Sequence, residues 1–173
     1  MLAQKRKTDK KILREKYRLT IISDLRTEIE QNEMPDLSCR ENLGKAARCV
    51  MEHDFSKGCV LWHCTEGKDR CGLLSAVLLL ALGAERSTIM EDYLLTNRVN
   101  AAKAERYCQM ALSAGKTETE AETIRDIFLA KEEYLDAAFS AMDAQYENAD
   151  AFLHDGLGLP QKLIERFQSS VLS

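Results

Sequence analysis

The chain has little proline, few aromatic residues and no long hydrophobic run. Proline occurs only at positions 35 and 160, and aromatic residues make up 6% of the 173 residues. No internal repeat or low-complexity tract divides the sequence, so we expect a single domain over residues 1–173. The apolar run at residues 73–82 is far shorter than the roughly 20 residues that span a bilayer. We therefore expect no stable membrane insertion.

Neither sign of charge dominates, because 24 Lys and Arg residues face 28 Asp and Glu residues for a net charge of −4. This balance argues against nucleic-acid binding. The basic residues are pooled only near the N-terminus, at Lys5, Arg6, Lys7, Lys10, Lys11, Arg14, Lys16 and Arg18. Such a pool is typical of a solvated helix face, or of a contact for anionic lipid or a partner protein. No apolar segment follows it, so we expect no signal peptide and a cytoplasmic location.

The six cysteines, at positions 39, 49, 59, 64, 71 and 108, form no regular framework. They contain no C-x2-C pair, which zinc sites commonly use. His63 and Cys64 are adjacent at a predicted strand end, where neighbouring side chains point apart. The spacing therefore predicts no metal site and no cofactor, and indicates thiols that stay reduced in a reducing compartment.

The clearest chemical pattern is the loop from His63 to Gly72, His-Cys-Thr-Glu-Gly-Lys-Asp-Arg-Cys-Gly. Residues 60–63 are apolar or aromatic and predict a buried strand, whereas residues 73–82 predict a buried helix that Gly83 ends. A helix that begins near Arg70 directs its unpaired N–H groups and positive dipole toward Cys64. This environment favours the thiolate, which is the nucleophilic form of cysteine.

Arg70 adds a planar cation that can bind two oxygens of a phosphate group at once. Lys68 adds a second positive charge, which we expect at the rim of the site, where it suits a doubly anionic ligand. The sequence therefore predicts a phosphate-binding loop. Its predicted substrate-binding residues are Thr65, Glu66, Gly67, Lys68, Asp69 and Arg70.

This loop resembles that of the cysteine-dependent protein tyrosine phosphatases, HC-x5-R, and most nearly the bacterial tyrosine and dual-specificity branch, HC-x-x-GKDR-[ST]-G. Two further segments are similar to motifs of that branch: Asp24-Leu25-Arg26-Thr27 with Glu30 to DLR-[ST]-x-x-E, and residues 92–97 to DYL-x-[ST]-N. The resemblance implies an α/β cysteine-phosphatase fold. A small, mostly parallel sheet would be flanked by helices, with a helix-rich C-terminal half and a shortened N-terminal part.

The resemblance also implies hydrolysis of a phosphomonoester through a phosphocysteine intermediate. Carried over by position, Cys64 is the nucleophile and Arg70 holds the phosphate. The acid that protonates the leaving oxygen is Asp69 inside the loop, with Asp36 after Pro35 as the alternative. The implied substrate is a phosphorylated protein, or a phosphoinositide if the enzyme acts on lipid headgroups.

Cys71 departs from the family pattern, which has Ser or Thr after the arginine. In the family that hydroxyl donates a hydrogen bond to the nucleophilic sulfur, and a thiol is a weaker donor. Cys71 could pack as a small apolar side chain, slow turnover, or resolve an oxidised Cys64 as a disulfide. The alternatives to an active phosphatase are thus a phosphate-binding interaction module that no longer turns over, and a redox thiol protein.

The remaining chain is predicted to be mostly helical. Ser87 can cap a helix over residues 88–97, and a further segment covers residues 100–114. A long amphipathic helix is predicted from Thr119 to Met142, as a core element or as a lid over the site. The last predicted elements are residues 149–153 and 161–171. Asp24, Arg26, Glu28 and Glu30 could include a structural ion pair near the loop, or could contact substrate.

Overall fold

The computed structural model describes residues 11–26 and 40–172. The elements in chain order are β1 (Leu19–Asp24), α1 (Arg40–Met51), β2 (Cys59–His63), α2 (Asp69–Ala81), α3 (Arg86–Ser113), α4 (Glu118–Ile127), α5 (Glu132–Asp143), α6 (Ala149–Ala151) and α7 (Gln161–Val171). A π-helical turn, Phe152–Gly156, follows α6, and residues 11–15 are also helical. The expected α/β fold with a helix-rich C-terminal half is confirmed.

The two described strands pair in parallel, with Asp24 of β1 opposite His63 of β2. β2 coincides with the strand predicted at residues 60–63, but the strand is only partly buried, with Leu61 39% exposed. The pairing continues past the strand ends, because the Leu25 N–H donates to the His63 carbonyl at 2.8 Å. The carboxyl ends of parallel strands meet at one edge, where α/β proteins usually bind ligands. The loop after His63 therefore begins beside the end of β1.

Helix α2 is buried on two sides, which explains its uniformly apolar sequence. Leu74, Val77 and Leu78 pack in a core cluster with residues of α1 and α7. Ala76 belongs to a second cluster, with residues of α3 and α5. The buried helix predicted after the loop is confirmed, and its burial holds its first turn at the edge of the sheet.

Helix α3 is continuous over 28 residues, so the prediction of two segments, at residues 88–97 and 100–114, was wrong. Asn97 and Asn100 lie inside the helix and bind a neighbouring loop. The Asn97 side chain donates to the Ala130 carbonyl and accepts from the Ala130 N–H, both at 2.8 Å. Asn100 donates to the Phe128 carbonyl at 3.2 Å. Helix propensity depends on residues that are close in sequence, so it does not predict these tertiary hydrogen bonds.

The single helix predicted from Thr119 to Met142 was also wrong, because α4 and α5 are separated by residues 128–131. The backbone of this segment is hydrogen-bonded to the amides of α3 instead of continuing the helix. Only the second half of the predicted apolar stripe is deeply buried, at Leu135, Phe139 and Met142. Ile127, at the end of α4, is 58% exposed.

The two short predicted elements at the end of the chain are confirmed as α6 with its π-helical turn and as α7. Of the N-terminal basic pool, Lys5, Arg6, Lys7 and Lys10 lie outside the described residues. Arg18 donates to the Ser56 carbonyl at 2.8 Å. In the part of the chain that the structure describes, no helix has both the length and the apolar character needed to cross a membrane.

Replacing Asn97 with alanine should lower the free energy of unfolding by about 1–3 kcal/mol. The N–H and the carbonyl of the buried Ala130 would both lose the hydrogen bond that Asn97 makes with them. Urea unfolding monitored by circular dichroism measures this change. Gln109→Ala is the control, since Gln109 lies on the same helix and only bonds the exposed Glu105. Its effect should stay within about 0.5 kcal/mol. Equal stability of the two variants would contradict the role given to Asn97.

Candidate active site

The candidate site is the loop that joins β2 to α2. Cys64 directly follows β2, and Asp69 is the first residue of α2. Gly67 has a φ of +68°, a left-handed conformation that glycine adopts without strain. A side chain at Gly72 would put its Cβ 2.7 Å from the Tyr93 ring, so α2 approaches α3 closely here. The loop is therefore a tight turn between two packed elements.

The surroundings of Cys64 stabilise its thiolate and lower its pKa to about 5. The main cause is a hydrogen bond from the Cys71 thiol, which outweighs the opposing effect of burial. Backbone N–H groups of Cys71, Gly67 and Glu66 add to the lowering. The Gly67 N–H lies 3.2 Å from the Cys64 sulfur. At neutral pH Cys64 is therefore charged and ready to act as a nucleophile.

Cys71 occupies the position at which the family pattern has the hydroxyl group of Ser or Thr. It is buried, with 9% of its surface exposed. Its hydrogen bond to Cys64, together with burial, raises its pKa far above the usual range, whereas the nearby Arg70 acts in the opposite direction. Cys71 thus keeps its proton and donates it toward the Cys64 thiolate. Its burial is also what packing as a small apolar side chain predicts.

Arg70 lies between the loop and the end of β1. Its Nη1 donates to the Leu25 carbonyl at 3.2 Å, and the side chain is half-buried. This bond orients the guanidinium at the edge where the two parallel strands end. The sequence analysis did not identify the Leu25 carbonyl as its partner. Every residue has a backbone carbonyl, so the residue types do not indicate which one Arg70 binds.

Lys68 points inward, although a position at the rim was expected. The residue is 4% exposed, and its Nζ donates to the Leu129 carbonyl at 3.2 Å. The same amine lies 3.2 Å from the Asp69 carboxylate and 5.4 Å from the centre of the Tyr134 ring. Lys68 therefore ties the loop to the segment between α4 and α5.

Of the two candidate acids, Asp69 and Asp36, the structure describes Asp69. The Asp69 carboxylate is 62% exposed and pairs with Lys68. Asp36 lies outside the described residues. Asp69 thus begins α2 directly after the candidate loop and is open to solvent, as an acid that meets an incoming substrate needs to be.

The outer side of the loop is held by an ion pair that the sequence analysis missed. Glu66 accepts from the Lys103 Nζ at 2.5 Å, and both side chains are about one-third exposed. The Lys103 amine also lies 4.8 Å from the centre of the Phe128 ring, which stacks on Tyr107. Thr65 and Gly67 are exposed between these supports. A lone lysine in a helix offers no sequence pattern that would have revealed this pair.

At the end of β1, Asp24 and Arg26 form the ion pair that the sequence suggested. The Arg26 Nη2 lies 2.6 Å from one carboxylate oxygen and its Nε 2.9 Å from the other. This hydrogen bonding lowers the pKa of Asp24 to about 2. The His63 Nδ1 is 3.8 Å from Asp24 across the paired strands. Glu28 and Glu30 lie outside the described residues.

Two open grooves lie away from the loop. One, of about 590 Å³, runs along β1 and α1 and includes Lys45, Arg48 and His53. The other, of about 320 Å³, is bordered by Trp62 and Phe167. Neither is lined by residues 63–72. Within residues 11–26 and 40–172, no three His, Cys, Asp or Glu side chains gather where they could hold a metal ion.

Replacing Cys71 with alanine should raise the pKa of Cys64 above about 5, because the main hydrogen-bond donor to the thiolate is lost. The pH dependence of iodoacetamide alkylation at Cys64, measured by peptide mass spectrometry, follows the thiolate directly. Cys71→Ser keeps a donor of similar size and should leave the profile near that of the parent or shift it to lower pH. An unchanged profile in Cys71→Ala would contradict the assignment.

Comparison with known proteins agrees with this geometry. A profile described as the tyrosine phosphatase family matches residues 33–173. A Cupriavidus necator protein provisionally named a tyrosine-protein phosphatase is 37% identical over 100 residues, 57% of this chain and 35% of that protein. The triple specificity protein phosphatase PtpB of Mycobacterium tuberculosis is 28% identical over 159 residues, 87% of this chain and 57% of that protein. The chain thus spans well under two-thirds of either relative, yet it belongs to the tyrosine phosphatase family.

Proposed function

We propose that this chain is a cysteine-dependent phosphatase that hydrolyses phosphomonoesters through a phosphocysteine at Cys64. The observation that carries the proposal is the Cys64 thiolate. Its pKa is lowered to about 5 by the Cys71 thiol and by backbone N–H groups, and Arg70 follows it in the first turn of α2. Family membership over residues 33–173 supports the same reaction.

The first step is attack of the Cys64 sulfur on phosphorus, which forms an S–P bond and breaks the bond to the leaving oxygen. The Arg70 guanidinium and the loop N–H groups are the donors that would bind the phosphoryl oxygens and stabilise their charge in the transition state. Asp69 gives its proton to the leaving oxygen. Water then attacks phosphorus, the Asp69 carboxylate takes up a proton from that water, and the S–P bond breaks, which releases phosphate and restores the Cys64 thiolate.

The substrate-binding residues of this proposal are those of the loop, from Thr65 to Arg70. Their roles differ in the structure. The N–H groups of Glu66 and Gly67 face the nucleophile, whereas the Glu66 carboxylate is paired with Lys103. Lys68 would act by holding the loop in place, because its buried amine binds the Leu129 carbonyl. Asp69 is exposed at the first residue of α2.

The proposed substrates are phosphorylated proteins, with phosphotyrosine as the first choice and phosphoserine, phosphothreonine or phosphoinositides as further candidates. The name of the M. tuberculosis relative, a triple specificity phosphatase, supports testing more than one class. A thiolate nucleophile works best under reducing conditions, which supports a cytoplasmic location. We propose that residues 1–173 act as one domain, since Phe152 packs against both larger core clusters.

A second candidate function is a phosphate-binding module without turnover. Cys71 favours it, because a thiol is a weaker hydrogen-bond donor than the hydroxyl found in the family pattern. The thiolate is then a poorer leaving group when phosphocysteine is hydrolysed. Binding of vanadate without steady release of phosphate would support this module, and sustained turnover would exclude it.

Cys64→Ser should abolish phosphate release, because a serine hydroxyl has no thiolate to attack phosphorus. Steady-state hydrolysis of p-nitrophenyl phosphate measures the loss. Cys49→Ser, at an exposed cysteine on α1, should retain parental activity. Equal activity of Cys64→Ser and the parent would overturn the proposed mechanism.

Asp69→Asn should reduce hydrolysis of phenyl phosphate by about 10²–10⁴-fold, the usual contribution of a general acid. The loss should be much smaller with p-nitrophenyl phosphate, whose leaving group departs without a proton. Asp136→Asn is a matched control at an exposed carboxylate of α5. If the rate of hydrolysis fell equally for the two substrates, Asp69 would not be the acid, and Asp36 would be the remaining candidate.

Cys71→Ser should raise turnover, because the stronger hydroxyl donor stabilises the departing Cys64 thiolate in the second step. Rapid-mixing kinetics separate the steps: the parent should show a burst of p-nitrophenol followed by a slower steady rate. The variant should show a faster steady rate with a smaller burst. A steady rate that falls or stays constant would show that the weak donor does not limit turnover.

A further inference from the structure

Glu66 places a carboxylate in a loop that is proposed to bind phosphate. Its backbone N–H is one of the groups that lower the pKa of Cys64, so its main chain faces the nucleophilic sulfur. Its side chain is 34% exposed and carries a negative charge of its own. A phosphomonoester carries about two negative charges at neutral pH, so an unpaired carboxylate here would repel it. A group that offsets the charge of Glu66 therefore favours phosphate binding.

The offsetting group is Lys103 of α3, which is 37 residues away in sequence. Its Nζ lies 2.5 Å from the Glu66 Oε2 and 4.8 Å from the centre of the Phe128 ring. That ring stacks on Tyr107, with the ring centres 4.6 Å apart and the ring planes 18° from parallel. The Phe128 carbonyl also accepts a hydrogen bond from the Asn100 side chain at 3.2 Å. The ammonium of Lys103 is thus held between a supported ring and the Glu66 carboxylate.

We propose that Lys103 is a positioning residue for phosphate binding: it neutralises the Glu66 carboxylate and keeps it paired on the α3 side of the loop, while the Glu66 N–H stays directed at the Cys64 sulfur. This inference rests on the proposed function, because it concerns the phosphate site of the same loop. Lys103 acts through Glu66 and does not itself contact the substrate.

The other charges of the loop explain why the cation comes from a distant helix. Two negative groups, the Cys64 thiolate and the Glu66 carboxylate, oppose an incoming dianion. The thiolate is needed for attack, so only the charge of Glu66 can be offset. Lys68 is engaged elsewhere, because its Nζ lies 3.2 Å from the Asp69 carboxylate and donates to the Leu129 carbonyl at 3.2 Å. The pair with α3 therefore supplies a positive charge that the loop's own buried lysine does not give to Glu66.

Protection of Cys64 from iodoacetamide measures phosphate binding without turnover. Inorganic phosphate in the loop blocks alkylation, and peptide mass spectrometry gives the concentration for half protection. Lys103→Met keeps the length of the side chain and removes its charge, so it should weaken phosphate binding by about 3–10-fold at low ionic strength. This loss should shrink at high ionic strength, because salt screens a partly exposed charge but does not restore lost packing.

The matched control is Lys116→Met, which removes a lysine paired with Glu120 in the connection from α3 to α4. It changes the net charge of the chain by the same amount and should leave phosphate binding within about twofold of the parent. Lys103→Arg keeps the positive charge and should bind phosphate more tightly than Lys103→Met. Phosphate binding by Lys103→Met that equals that of the parent would overturn the proposal.

A second substitution separates the charge of Glu66 from the packing of Lys103 on Phe128. Glu66→Gln alone should bind phosphate more tightly than the parent, because Lys103 then has no carboxylate to neutralise. The double variant with Glu66→Gln and Lys103→Met should recover most of the affinity that Lys103→Met loses. A double variant as weak as Lys103→Met would show that Lys103 acts by packing, which would overturn the proposal.

Hydrolysis of p-nitrophenyl phosphate distinguishes this role from a part in the chemical step. Lys103→Met should raise KM and leave kcat near that of the parent, since the added repulsion acts on bound substrate and transition state alike. A fall in kcat at unchanged KM would overturn the positioning role. Phosphate protection that depends on Lys103 in a chain without turnover would refute the phosphatase reaction and leave this inference intact. Absence of protection by phosphate in the parent would refute both.

Discussion

The burial of α2 is the constraint on which the candidate site depends. Leu74 and Val77 are buried against α1 and α7, and Ala76 is buried against α3 and α5, so the helix has little freedom to slide or rotate. Gly72 adds to this constraint, because any side chain there would collide with Tyr93. The first turn is therefore held where its Cys71 thiol and N–H groups meet the sulfur of Cys64.

The helical second half supports the same loop from its other side. The side-chain amide of Asn97 is hydrogen-bonded to the backbone of Ala130. The adjacent Leu129 carbonyl accepts a hydrogen bond from the buried Lys68 amine. Lys103 of α3 pairs with Glu66 and lies over Phe128. The candidate loop thus contacts the α4–α5 segment through its own Lys68 and α3 through Lys103. A polar residue in α3 can therefore affect the geometry of a loop some 30 residues away in sequence.

One contact, from the Cys71 thiol to the Cys64 thiolate, determines which of the two sulfurs in the candidate site carries the charge. The hydrogen bond lowers the pKa of Cys64 and raises that of Cys71, because the shared proton stabilises charge on one sulfur only. The donor at this place is a thiol where the family pattern has a hydroxyl, and a thiol donates a hydrogen bond more weakly.

The sequence by itself determined the strand, loop and helix around Cys64, because the apolar runs at residues 60–63 and 73–82 and Gly83 are local features with local structural preferences. It also identified Cys64, Arg70 and Asp69 as candidates, and a group of charged residues around Asp24 from which the structure pairs Asp24 with Arg26. Only the tertiary structure decided that α3 is continuous, that the chain breaks between α4 and α5, and that Lys68 points inward. Each of these depends on hydrogen bonds to backbone groups distant in sequence, such as those of Ala130 and Leu129. Residue periodicity records which face of a helix is apolar, but it does not record which carbonyl a distant side chain will bind.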